Sequence, residues 1–338
     1  MRGNEKGKNY RSFCEAYNKI KASTVTEELP LMNVDMVYID NKGGTIYHNG
    51  LENATDFNPL KMMKNKFQGD GIRIGLDCIP ISQKAILDVA ALAGLKGEGL
   101  SAPSRERSAL ISKRIAFNKE KYQFILQDGV VVGIKKNIAT CPSIINVIDV
   151  LPSKNVRLGK GVQGKIVRDW IITNDFYRVA IEYACLGATE TLTPYCVVQD
   201  SDTGESSLTI TFGAMFSKNN QSGFLPIFGK SYRHNKVVSI TQIYEDVQYY
   251  IIDQFMSIKR KLDSVIDCPV ENIELPKEFT KNLSKQKLKE LDTSGATLYE
   301  QIVSLSVSTA KAAEGLGIKQ QNAIMNSLFE FVVFTLIV

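Results

Sequence analysis

The prevailing hydrophobic period of this chain changes near residue 241, and that change limits the folds open to it. Before it, apolar residues alternate with polar ones between turn signals. After it, Ile243, Val247, Tyr250, Ile251, Phe255, Ile258, Leu262 and Val265 fall at steps of three and four, as on one face of a helix. The early part carries three hairpin patterns. "VDMVYIDNKGGTIYHNG" turns at Asn-Lys-Gly-Gly, "KYQFILQDGVVVGIKK" at Asp128-Gly129, and "YCVVQDSDTGESSLTITF" at Asp202-Thr203-Gly204. One short helix interrupts them, with Ser82 as N-cap, a stripe at Ile86, Val89, Ala90 and Ala93, and Gly94 as terminator. Beyond the long helix, Pro269 and Pro276 are breakers, a lysine-rich helix is expected near 277–291, and 297–338 is expected to be helical with an interruption at Gly315 and Gly317. The expected class is α+β, with an antiparallel hairpin-rich sheet in the first two thirds and a helical carboxy-terminal third. The expected division is a basic amino-terminal segment (1–30), a sheet-rich domain (31–240) and a helical region (241–338).

At 338 residues with 44% apolar and 23% charged side chains, the chain has enough material to bury a large core, and disorder is not expected. Arg2, Lys6, Lys8 and Arg11 are followed by no apolar run, so neither a secretory signal nor a transmembrane start is expected. The apolar stretch 328–338 is about half of the roughly 20 residues a bilayer span needs. A cytoplasmic protein, with no membrane partner, follows as the expectation. Six cysteines lie far apart with no C-x-x-C pair, and the histidines are His48 and His234. No zinc site, other metal or cofactor is expected from that set, and the thiols read as free core residues. A Cys-His nucleophile needs a base within reach of the thiol, which spacing alone does not supply.

"LGKGVQGKIVRDWIITNDFYRVAIEYA" is the stretch most suggestive of chemistry. Gly159, Gly161 and Gly164 fit G-x-G-x-x-G, and Gly159 to Lys165 fit the start of G-x-x-x-x-G-K-[ST]. A nucleotide-triphosphate loop needs a buried strand before it, a helix after it and a Ser or Thr behind the lysine. Here the preceding "SKNVRL" is polar, Ile166 follows the lysine, and "KIVRDWIITN" alternates like a strand. A kinase reading fails as well, because Glu182 stands where the strand lysine belongs and no H-R-D or D-F-G follows. What remains is charge: Lys154, Arg157, Lys160, Lys165 and Arg168 occur with no acidic residue among them. Cations around glycines that admit close backbone approach suit a phosphodiester chain. A nucleotide-binding enzyme using residues 159–165 stays as an alternative.

Two further segments extend the basic reading. Arg105, Arg107, Lys113, Arg114, Lys119 and Lys121 are offset only by Glu106 and Glu120. Residues 206–244 hold Lys218, Lys230, Arg233 and Lys236 interleaved with Phe212, Phe216, Phe224, Phe228 and Tyr232, with no acid among them. Single-strand binders combine cations that track phosphates with rings that stack bases, and Phe216, Phe228 and Tyr232 are the expected stackers. The opposite reading is core phenylalanines with solvated lysines, and a net charge of only +5 gives it weight. Acidic residues cluster after the loop, from Asp169 to Glu205, against a single Arg178. Such segregation serves orientation on a polyanion or self-assembly. "DSDTGE" lacks the glutamate of a calcium loop, with Thr211 in its place, and reads as a turn.

"VVQDSDTGESSLTITF", the Asn-rich "FSKNNQSG" and the late "TLYEQIVSLSVSTAKAAEG" together resemble the uncharacterised phage/plasmid-like protein family of mobile elements, over about residues 177–338. Asp200 stands for that family's hairpin Asn, and Tyr299 and Ser304 for the Trp and Asn of its late helix. The resemblance implies a mobile-element origin and an association with single-stranded DNA handling in replication or recombination, including annealing, in a bacterial host. It implies no catalytic residue. The expected function is therefore an accessory protein binding single-stranded nucleic acid, oligomeric through its carboxy-terminal helices. A phage structural or assembly protein is the alternative.

Overall fold

The computed structural model describes residues 5–40, 45–48, 51–52, 69–75, 77–95, 98–136, 141–151, 166–173, 176–183, 192–203, 207–218, 221–234, 237–271, 273–281, 283–314, 316 and 318–337. It is an α+β protein with antiparallel sheets and a helical carboxy-terminal region. The largest sheet has six strands: β1 (Glu5–Gly7), β10 (Ile166–Ile172), β11 (Tyr177–Glu182), β12 (Leu192–Asp200), β13 (Leu208–Lys218) and β14 (Gln221–Tyr232), adjacent in that order. Strict alternation decides which face is core. Along β13, Leu208, Ile210, Phe212, Ala214 and Phe216 are fully buried, while Thr209, Thr211 and Met215 point to the opposite face.

Helix α1 (Tyr10–Ala22) packs on the core face, capped by the Asn9 side chain accepting from Ser12 N. Phe13 meets the ring of Trp170 edge-on at 5.9 Å, and Trp170 Nε1 donates to Ser12 Oγ at 3.0 Å. The basic start of the chain is thus part of the main core. From Thr24 the chain departs into a second lobe with its own core. This lobe holds a three-stranded sheet of β2 (Thr24–Pro30), β8 (Lys121–Gln127) and β9 (Val130–Lys135). Beside it is a five-stranded sheet in the order β5 (Leu51–Glu52), β4 (Thr45–His48), β3 (Val34–Asp40), β6 (Gly69–Ile74), β7 (Asp77–Pro80). Helices α2 (Gln83–Leu92) and α3 (Ser104–Ile115) fill the space between. Ser82 caps α2 by accepting from Ala85 N, and Asp128 and Gly129 turn the β8–β9 hairpin with φ of 51° and 76°. The chain returns to the first core at Cys141 and α4 (Ile144–Val150).

The carboxy-terminal helices belong to that first core and form no separate unit. Helices α5 (Ile240–Glu245) and α6 (Ile252–Ser264) are joined by a π-helical turn over Asp246–Ile251, as the single long periodic stretch requires. Helix α7 (Leu298–Ala313) is buried on every side from Gln301 to Thr309 and lies on β14 at Gly223, which has no room for a side chain. Helix α8 (Ile318–Phe331) follows. The single helix expected over 277–291 is instead two one-turn pieces, Lys277–Thr280 and Lys285–Leu288. The break falls at Leu283 and Ser284: Leu283 is buried in the first core, and the Ser284 side chain caps a new helix by accepting from Lys287 N. Past residue 291, Ser304 Oγ of α7 donates to Ser294 O at 2.6 Å and Ser308 Oγ accepts from Asp292 N at 2.9 Å. The cores also cross the expected boundaries: residues 13–20 and 144–337 share one, and residues 31–134 form the other.

Candidate nucleic-acid interface

At the far end of α3 the second lobe carries a basic tip. Six cations were expected to act together on this segment, and the fold sorts them. Arg107 is consumed internally: its Nη2 donates to Asp70 Oδ2 at 2.6 Å, a buried pair that also takes Ser108. Lys121 lies 3.9 Å from Glu28, and Arg114 donates to Gly94 O at 3.1 Å while its surface stays exposed. Lys113 and Lys119 are exposed and make no ion pair among the described residues. Glu120, the nearest acid in sequence, is held 2.8 Å from Lys136, and that pairing keeps its carboxyl below the usual range. Between these cations stands Phe117, 88% exposed, at the turn from α3 into β8. Lys113 and Arg114 have a structural use, since cations in the last turn complement the helix dipole. The ring of Phe117 has none.

A second feature is a groove of about 680 Å³ on the outer face of the six-stranded sheet. Its floor is the non-core side of β10 to β14, and its wall is the end of α7 with α8. Arg178 of β11 rises from the floor half-buried, with its guanidinium pulled down from the usual arginine range by desolvation and partly restored by Asp169. Asp169, Glu314 and Glu330 are exposed at the margin. Phe224, Met215 and Phe329 line the far end.

Against known protein families, curated proteins and solved structures, the chain finds no match. The reading of the site rests on its residues.

The residues singled out in the sequence fare unequally. Arg157, Gly159, Lys160, Gly161, Gly164 and Lys165 lie outside the described residues. The chain resumes at Ile166 directly as strand β10, so the helix that a nucleotide-triphosphate loop requires after its lysine is not there. Arg168 is the bulged residue between Val167 and Asp169 in the β10–β11 ladder. Phe216 cannot stack a base: it is fully buried, with its ring edge-on to Tyr299 at 5.9 Å. Tyr232 is also core, and its hydroxyl donates to Asp246 Oδ2 at 2.9 Å. Lys230 pairs with the same carboxylate at 2.6 Å. Asp246 stands just past the acid-free window and reaches back from the π-helical turn, a neutralisation that linear composition does not reveal. Phe228 is half-buried at the groove, Lys218 ends β13, and Arg233 is exposed. The expectation of Phe216 and Tyr232 as stackers is corrected accordingly. Phe117 was missed because it lies in a turn, where neither periodicity nor alternation marks a residue.

His234 sets Nε2 2.9 Å from Oδ1 of the buried Asp200. This contact, helped by the Cys141 thiol, pushes the imidazole up to about 10. A folded-state value above the ordinary one near 6.5 stabilises the protein below about pH 6.5, and the contribution fades as pH rises toward 10. After allowance for solvent at the ring, which is 27% exposed, the contribution is about 2 kcal/mol. His234→Gln is therefore expected to destabilise by that amount at pH 6 and by much less at pH 10 in urea unfolding. An equal deficit at both values would contradict the pairing. Among the described residues no group of three or more His, Cys, Asp or Glu is placed to hold a metal ion, and no helix is long and apolar enough to cross a membrane.

Proposed function

We propose that this protein binds single-stranded nucleic acid, with the α3 tip as a stacking and phosphate-contacting surface. One observation carries the reading: a phenylalanine ring 88% exposed within four residues of the exposed Lys113, Arg114 and Lys119. Bases in single strands present free π-faces, and ring stacking contributes about 1 to 3 kcal/mol per base while cations track the backbone. A duplex hides those faces, so a surface built this way prefers single strands. The basic loop, with Arg157, Lys160, Lys165 and Arg168, is the second phosphate-contacting element in this proposal. An accessory role in mobile-element DNA metabolism, of the kind the family resemblance implies, fits both.

Phe117→Ala is expected to weaken binding of a fluorescent 30-nucleotide strand about tenfold, the lower part of the stacking range, while leaving weak duplex binding unchanged. Fluorescence anisotropy with both probes reads this directly. Equal loss on both, or no loss on either, would remove stacking from the account. Phe334, 66% exposed just beyond α8 and edge-on to Phe329 at 5.7 Å, supports a second reading, self-association through the carboxy-terminal helices. A mass that rises with concentration, without affinity for nucleic acid, would select that reading in its place.

A further inference from the structure

The groove beneath α8 has a chemical gradient along its length. Strand register places its residues in rows. Arg178, Gln199, Thr209 and Ser231 face one another across β11 to β14, so one end is polar. The next row brings Val197 beside Thr211 and Gly229, and the absent side chain of Gly229 leaves space over Thr211: a methyl there would stand 3.0 Å from Thr211 Oγ1. Met215 and Phe224 pair at the other end, where Met325 and Phe329 of α8 close over them. From Thr209 to Met215 the strand advances by about 20 Å at roughly 3.3 Å per residue. The groove is therefore long, polar at one end and apolar at the other.

Its deepest charge is positive. The side chains of Arg178 and Thr211 make no hydrogen bond or ion pair among the described residues, whereas the carboxylates of Asp169, Glu314 and Glu330 are exposed at the margin, where water screens them. Among the described residues the half-buried guanidinium has Asp169 as an acidic neighbour but no hydrogen bond to it, which leaves its donors available to a planar or tetrahedral anion. A volume of about 680 Å³ lies within the range of small-molecule sites.

We propose that this groove binds a small amphipathic anion, whose phosphate or carboxylate head pairs with Arg178 and Thr211 and whose apolar body lies along Met215, Phe224, Met325 and Phe329. The site is on the other lobe from Phe117, so its occupancy and base stacking on that ring stand or fall separately.

Isothermal titration calorimetry with four probes tests it: octyl phosphate, octanoate, 1-octanol and inorganic phosphate. At least one of octyl phosphate and octanoate is expected to bind ten times more tightly than both 1-octanol and inorganic phosphate. The tighter of the two identifies the head group. Arg178→Gln is expected to lower that affinity at least tenfold, Arg178→Lys to retain part of it, and Phe329→Ala to weaken the octyl compounds but not inorganic phosphate. The proposal is overturned if 1-octanol binds as well as the anions, if none of the four binds below millimolar concentration, or if a folded Arg178→Gln protein binds like the unaltered one. Should Arg178→Gln fail to fold, the Phe329→Ala arm and the comparison among probes still decide.

Discussion

Gly223→Ala is expected to destabilise the protein by about 3 kcal/mol or more, a value at the upper end for adding one methyl to a packed core. The backbone there is not in a glycine-only conformation, so the reason is space. A methyl on Gly223 would overlap the Ser306 carbonyl oxygen and lie 2.6 Å from Ser306 C and Val307 Cα. These are backbone atoms of a helix buried on all sides, and no rotamer change relieves the clash. Either α7 moves off β14 or the strand shifts, and each loosens the contact of Phe216 with Tyr299. Urea unfolding followed by circular dichroism would show the midpoint falling sharply. An unchanged midpoint would mean that α7 does not lie on β14 at this distance.

Gln301→Leu should cost about as much, roughly 3 kcal/mol, through polar groups left unmatched. The Gln301 side chain is buried and fully engaged. Its Oε1 accepts from Ile273 N at 3.0 Å, and its Nε2 donates to Gly295 O at 3.0 Å, Glu271 O at 3.3 Å and Val270 O at 3.4 Å. One amide thus binds two separate stretches of irregular chain to α7. Leucine has nearly the same volume, so a large loss would report hydrogen bonding and not packing. Gln301→Glu keeps the acceptor, loses the donors and buries a charge, and is expected to be at least as harmful. A leucine variant within 0.5 kcal/mol of the unaltered protein would contradict this network, by the scale of ordinary surface changes.

Element type was readable wherever the cause was local. Ser82 and Gly94 bounded a helix, Asp128-Gly129 made a hairpin, and the shift of period at residue 241 separated sheet from helix, because each depends on neighbours in sequence. The failures were long-range. The 277–291 segment has helical composition, yet the buried Leu283 and the capping Ser284 divide it in two. Two cores instead of one sheet domain arise because the chain leaves the first after α1 and returns at Cys141, a path that leaves no mark on composition. The same limit governed the candidate site. Alternation along β13 told that Phe212 and Phe216 share a face but not that the face is core, and the use of Lys230 and Tyr232 by Asp246 is a tertiary contact. Arg178 was conspicuous only as the one cation in an acidic stretch. Its neighbours Gln199 and Thr209 come from other strands.

The family resemblance touches residues whose roles are now visible. Asp200 holds His234, Tyr299 packs on Phe216, and Ser304 secures the chain at Ser294. All three positions serve the architecture of the first core. The residues proposed to meet a ligand, Phe117 with its cations and Arg178 in the groove, are others.

The most direct test of that claim is the salt dependence of single-strand affinity. With Lys113, Arg114 and Lys119 each neutralising one phosphate, the log-log slope is expected near -2, at about -0.7 per phosphate, and steeper by up to about 3.5 if the five cations of the 154–168 segment also engage. Lys113→Ala/Lys119→Ala should flatten it by about 1.4, and Lys160→Ala/Lys165→Ala by the same amount only if the loop takes part. A slope near zero would contradict phosphate contact by these cations, and no binding of the 30-nucleotide strand at low salt would contradict nucleic-acid binding by this protein.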